Sequence, residues 1–255
     1  MGGETLDSLT ILSLRPEDGG TDPPFTVFDL FDRIYSLFQS IGYITLMDID
    51  LKPTSRFPHW DPDEEYPDWR TERVHFKACT VGVIDSYSLY SPEAGQELMF
   101  EDCNLHGLEF CLPKTPSLTL KNLNAESLGI IIQKSDAIKI AFEDCPELTD
   151  KIILALANAH PDSWFLEQRH LRSLRMHACP RVSAKALKKI VSVRQKRRIV
   201  ADPMPALART YLPDENDYLD GPPLKSLILS GLNGKRVSNG MRSWFEDNLE
   251  EFLER

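Results

Sequence analysis

Ile140-Ala-Phe142-Glu-Asp-Cys145-Pro-Glu-Leu148-Thr149-Asp-Lys-Ile-Ile-Leu-Ala-Leu156 is followed, a few turns of chain later, by Leu174-Arg-Met176-His-Ala-Cys179-Pro-Arg-Val182-Ser183-Ala-Lys-Ala-Leu-Lys-Lys-Ile190. The two match position by position. Each has two apolar residues in alternation, a Cys-Pro pair, an apolar residue, a hydroxyl residue suited to cap a helix, and a run of helical apolar spacing. Alternation at period two predicts a short strand with one buried face. The proline that follows turns the chain, because it cannot continue a strand ladder. Cysteine fits the corner as a small hydrophobe with a weak donor.

The six-residue opening, apolar-x-apolar-x-x-Cys, recurs at Val74 to Cys79 and Leu98 to Cys103. It also recurs with an apolar residue in place of Cys at Ile44 to Ile49, Leu118 to Leu123 and Leu227 to Leu232, and more weakly at Leu9 to Leu14. Successive ends lie 35, 30, 24, 20, 22, 34 and 53 residues apart. Three of these intervals fall in or next to the range of about 20–29 residues that marks leucine-rich repeats, and the others require insertions. The predicted fold class is therefore α/β: an open, irregular leucine-rich-repeat solenoid over residues 1–255, with parallel strands on a concave face and helices on a convex face. Each unit buries its apolar side against its neighbours. The competing reading is an ordinary α/β domain whose strands happen to precede cysteines.

Around this core, an amphipathic helix is expected over 26–40, with Val27, Leu30, Phe31, Ile34, Leu37 and Phe38 at helical spacing, followed by a strand over 43–49. Residues 51–72 form an expected insertion, with Asp61, Asp63, Glu64, Glu65, Asp68 and Glu72 interleaved with Trp60, Tyr66 and Trp69. It reads as a solvated loop whose aromatics fold back on the domain, or as an acidic-aromatic docking loop. Helices are expected near 125–133, 149–159 and 183–194, and a proline-rich insertion or linker over 195–223. A helix over 238–254, capped by Ser238 and apolar at Met241, Trp244, Phe245, Leu249, Phe252 and Leu253, would close the open end.

Composition narrows the function. The chain has 255 residues, 42% hydrophobic and 27% charged, and 39 acids against 29 bases leave a net charge of −10. Such a chain is a poor general binder of phosphate backbones, so no nucleic acid is expected as partner. No apolar run approaches a membrane span, and the first residues lack the basic and apolar parts of a signal peptide. Five widely spaced cysteines do not make a disulfide framework; a reduced, cytoplasmic or nuclear protein is the expectation.

His75, Cys79, Cys103, His106 and Cys111 are rich in metal-ligand types, but their spacing is not that of a zinc finger. Nor does the sequence hold a nucleophile elbow, a phosphate-binding loop, a dinucleotide fingerprint or a His-Glu-x-x-His helix. No cofactor, metal or catalytic residue is assigned, and the alternative is a small intracellular enzyme with a Cys/His site around 75–111. From Lys185 to Arg198 seven cations occur with no acid. They read as a solvated helix face or as a localisation or anionic-partner patch.

The pattern at 140–154, repeated at 174–187, resembles the cysteine-containing leucine-rich repeats of F-box proteins. Leu118-Thr-Leu-Lys-Asn-Leu-Asn-Ala-Glu-Ser-Leu-Gly, and Leu171 to Pro180, look especially like those of the divergent F-box family of mushroom-forming fungi (basidiomycetes). The likeness covers residues 74–192. It implies a substrate receptor of a cullin–RING ubiquitin ligase. No Leu-Pro-x-Glu-like F-box opening precedes the repeats in this sequence, so a ligase adaptor is implied as partner only if an F-box is supplied elsewhere. The expected activity is non-catalytic protein binding on the concave face, by Thr45, Met47, His75, Lys77, Met99, Glu101, Thr119, Lys121, Ala141, Glu143, Arg175, His177, Ile228 and Ser230. These are the residues between and after the inward pairs. Their mix of charges and apolar groups suits a protein partner.

Overall fold

A computed structural model describes residues 4–15, 26–51, 70–90, 95–108, 112, 115–135, 137–157, 171–200, 223–231 and 237–255. Among them the chain is α/β, with nine strands and six α-helices. It divides into two compact units, residues 1–116 and 117–255, where the sequence pattern predicts one uninterrupted array.

In the first unit β1 (Glu4–Leu12), β2 (Phe38–Met47), β3 (Arg70–Lys77) and β4 (Glu97–Glu101) pair in sequence order, all parallel. In the second, β5 (Ser117–Lys121), β6 (Lys139–Glu143), β7 (Ser173–His177), β8 (Ser226–Ser230) and β9 (Glu251–Glu254) do the same. Crossover helices make such parallel neighbours possible. They are α1 (Val27–Leu37), α2 (Val81–Tyr90), α3 (Ala125–Lys134), α4 (Asp150–Ile153, continued by a 3-10 turn Leu154–Ala157), α5 (Ala184–Val200) and α6 (Asn239–Asn248).

The core sides of the strands hold the template's alternating pairs: Ile44 and Leu46, Val74 and Phe76, Leu98 and Phe100 in one unit; Leu118 and Leu120, Ile140 and Phe142, Leu174 and Met176, Leu227 and Leu229 in the other. All are buried. Beyond each pair the backbone makes the same departure. Ser13, Asp48, Ala78, Asp102, Asn122, Asp144, Ala178 and Gly231 all take the left-handed conformation, with φ between 48° and 63°. The N–H groups of Ser13, Asp48, Ala78, Asn122, Asp144 and Ala178 extend the ladder by one bond, as from Asp48 to the Lys77 carbonyl (2.9 Å) and from Asp144 to the His177 carbonyl (3.0 Å). Asp, Asn and Gly tolerate this conformation best, which accounts for five of the eight identities. At Gly231 a side chain is also excluded by space, since a Cβ would lie 3.0 Å from the Ala178 nitrogen.

The cysteines occupy the next position, as the template requires. Cys79, Cys103, Cys145 and Cys179 are free and buried. Each thiol donates to the carbonyl of the second inward residue of the preceding strand: Cys79 to Leu46 (3.1 Å), Cys103 to Phe76 (3.4 Å), Cys145 to Leu120 (3.4 Å) and Cys179 to Phe142 (3.8 Å).

Several expectations are corrected. The first amphipathic helix ends at Leu37, which is 65% exposed, because Phe38 takes extended geometry and opens β2. Helix α2 is not anticipated by the sequence, since its apolar residues do not gather on one face. The helix expected over 149–159 is a short α-turn and a 3-10 turn; Asn158 and Ala159 lie outside the described residues. Thr149 stands at the N-cap of α4 without a side-chain cap bond, whereas Ser183 Oγ accepts from the Ala186 N–H at 3.2 Å. Residues 195–200 continue α5 rather than opening an insertion, and 201–222 lie outside the described residues. Of the acidic insertion, Arg70–Glu72 belong to β3 and 52–69 lie outside them.

The predicted helix over 238–254 stops at Asn248. Leu249 is extended, and Glu251–Glu254 form β9, paired with β8. The residues Leu-Glu-Glu-Phe-Leu-Glu satisfy both helical and strand periods, and the free edge of β8 decides for the strand.

Candidate binding face

The side of each strand away from the core presents three rows. In the first unit they read, from β2 through β4, Tyr43–Arg73–Glu97, Thr45–His75–Met99 and Met47–Lys77–Glu101. In the second, from β5 through β8, they read Ser117–Lys139–Ser173–Ser226, Thr119–Ala141–Arg175–Ile228 and Lys121–Glu143–His177–Ser230. All fourteen expected residues lie, each within its own unit, on the strand side away from the core. Thr45, Glu101 and Thr119 are nevertheless buried, and cannot be primary contact residues. Arg175 and His177 are exposed and the rest half-buried.

A polar cluster organises the first unit's face. The Glu101 carboxylate, 8% exposed, accepts from Lys77 Nζ at 3.0 Å and lies 3.2 Å from His75 Nε2. His75 Nδ1 is 3.4 Å from the Tyr43 hydroxyl. A buried carboxylate needs such compensation. The cluster fixes Lys77 and Tyr43 in place at the surface. On the second unit, His177 Nδ1 lies 3.0 Å from Ser230 Oγ, whose hydroxyl also lies 3.4 Å from the Met176 carbonyl. This pair orients the imidazole.

The outermost row, with Tyr43, Arg73, Lys139, Ser173 and Ser226, escapes the sequence reading because the strands begin before the template does. Carrying the alternation one residue back from Ile44, Val74 and Ile140 finds the first three.

The Cys/His group around 75–111 is not assembled. His75 points away from the core and Cys79 and Cys103 into it, while His106 is exposed, its backbone N–H bonded to Asn104 Oδ1. Burial pushes the Cys79 thiol up to about 11 and Cys103 to about 12, the opposite of the depression a reactive or metal-bound cysteine needs. Cys179 is raised too, by its hydrogen bond with Cys145 and by burial. No group of three or more His, Cys, Asp or Glu is placed to hold a metal among the described residues; Cys111 lies outside them.

The basic run is partly structural. Arg194 is buried, its Nε donating to the Leu156 carbonyl at 3.2 Å, and Lys188 Nζ sits 4.5 Å from the Trp244 ring centre. Lys185 and Lys189 are exposed. Among the described residues no helix is long and apolar enough to cross a membrane. Compared with family models, with curated proteins and with solved structures, the chain has no match.

Proposed function

We propose that the chain is a leucine-rich-repeat-type solenoid that binds protein partners through the outward rows of its strands and carries out no chemistry itself. More particularly, we read it as a substrate-recognition module of the kind that F-box subunits of ubiquitin ligases carry, working in the cytoplasm, the nucleus or both. One observation carries the first part of this reading. The same strand end, a left-handed residue followed by a buried Cys, Leu or Ile, recurs along parallel strands that pair in sequence order. Successive similar units leave, within each compact unit, a row-patterned strand face that lies away from the core. The second part is supported by the Cys-Pro pattern alone.

The test is affinity capture on the full chain, with identification of the retained proteins. Alanine at Lys121, Glu143 and Arg175 together is expected to abolish retention of the specific partner. Retention of every captured protein by that triple variant would sink the binding-face reading. Retention of the face-dependent partner without the ligase adaptor would leave a stand-alone binding module.

A further inference from the structure

The second unit's strand face carries charge that its own sheet does not neutralise. Across β5 to β8 it holds Lys121, Lys139 and Arg175 against a single acid, Glu143, which stands across from Lys121 in register, on a chain whose net charge is −10. Arg175 lies between Ala141 and Ile228 in register, and Lys139 between Ser117 and Ser173. Neither cation has an acid directly across from it, and neither is in an ion pair among the described residues. Both are exposed. Cross-strand neighbours of opposite charge are the usual way a sheet face balances itself, so two cations set among Ala, Ile and Ser are an unmet demand.

Their surroundings define what would meet it. Ala141, a short side chain, stands across from Arg175, and Ser117 and Ser173 stand on either side of Lys139 in one row. The positive zone ends at β9, where Glu251 accepts from Ser226 Oγ at 2.6 Å and Glu250 pairs with Lys225 at 2.7 Å. A long polyanion would run from these cations onto acid, whereas a short run of carboxylates fits between. Resting on the binding-face reading above, we infer that this face takes an extended, Asp/Glu-rich segment of a protein partner, anchored on Arg175 and Lys139.

The experiment uses the full chain and a fluorescein-labelled peptide of alternating Glu and Ser, beside the same peptide with Gln for Glu and an oligothymidylate. Anisotropy is read at low and at near-physiological ionic strength. The Glu peptide is expected to bind more tightly than the Gln peptide, and to weaken about tenfold in the Lys139→Glu/Arg175→Glu variant, as loss of charge-assisted bonds implies. Lys139→Gln/Arg175→Gln, a milder change at exposed positions, should weaken it in the same direction. Lys185→Glu/Lys189→Glu makes the same change in net charge on α5 and should leave binding nearly unaltered.

Equal loss in the two charge-reversal variants would reduce the effect to net charge and overturn the inference, as would no preference for Glu over Gln. An oligothymidylate that binds as tightly through the same two residues would overturn it in favour of general polyanion attraction. If captured partners depend on Lys121 and Glu143 but not on the charges at 139 and 175, the acidic-segment inference falls and the binding face stands.

Discussion

The first strand of unit 1 and the last strand of unit 2 meet the same problem by different means. β1 is nine residues long and pairs with β2 over eight positions, yet none of its described side chains is buried. Leu6, Leu9 and Ile11 lie opposite Ile41, Ile44 and Leu46, which are 0–1% exposed, while they themselves are half-buried, and Leu12 is 56% exposed. β9 has four residues, two of them glutamates, and none of them is buried either, but side chains of its own unit meet it from several sides. Phe252 stacks on the buried Phe245 at 5.1 Å between ring centres, and Trp244 meets Phe245 edge-on at 5.4 Å. Glu254, pointing into the core side, is paired with Arg242 and accepts from the Val237 N–H at 2.8 Å. The Gln195 amide of α5 donates to the Asn248 carbonyl at the end of α6. Ladder length therefore does not decide how firmly a terminal strand is held; cover on its core side does, because burial stabilises by area removed from water and backbone bonds add little net.

The largest expected effect tests that cover directly. Phe245→Ala removes a fully buried ring with aromatic partners and is expected to cost about 3–5 kcal/mol, whereas Leu9→Ala in β1 should cost about 1 kcal/mol, since much of that side chain stays in water. Chemical denaturation of the two variants measures both. Equal costs would mean that β1 is covered as well as β9, and the comparison would break.

A second substitution asks whether β1 can leave on its own. A Cβ at Gly42 would lie 2.8 Å from the Asp7 carbonyl oxygen, closer than real contacts allow, so Gly42→Ala must push β1 off β2 near Leu6 to Ser8. The expected cost is about 1–3 kcal/mol, typical of forced insertion into a packed contact. Hydrogen exchange read by segment locates it. Protection should fall in β1 and persist in β3 and β4, because weakly covered end elements open sub-globally. A matching fall in β3 and β4 would make β1 part of the unit's cooperative core.

The asymmetry between the ends was only half legible in the sequence. The strand pairs and buried cysteines could be read because alternation and corner chemistry are local. The start of α5 could be read from its cap, Ser183. What failed is what depends on neighbours. Leu249 to Glu254 reads as helix until β8 offers an edge. Leu37 reads as core until the chain turns at Phe38. Thr45, Glu101 and Thr119 read as surface, yet in the folded sheet they are buried. For the candidate face, the two rows within the template could be read, and the third, with Lys139 and Arg73, lies one residue before the template begins. Its strands are longer than the motif that reveals them.

The smallest effect probes the feature that both units share. Ala78 in unit 1 and Ala178 in unit 2 hold the same left-handed conformation, each with φ of 50°, where a Cβ costs about 1–2 kcal/mol. Ala78→Gly and Ala178→Gly remove that strain but give the unfolded chain more freedom, a loss of up to about 1 kcal/mol. The net expectation is a gain of about 0.5 kcal/mol at each position, and, above all, the same gain at both. Ala78→Asn and Ala178→Asn, which keep a side chain that tolerates this conformation, should also stabilise. Denaturation midpoints of the four variants give the answer. Equal shifts would show that strand-end geometry is common to the two units and that their ends differ in cover alone. A gain confined to one unit would place part of the difference in the corners themselves, and the contrast between β1 and β9 would then need an explanation beyond buried area.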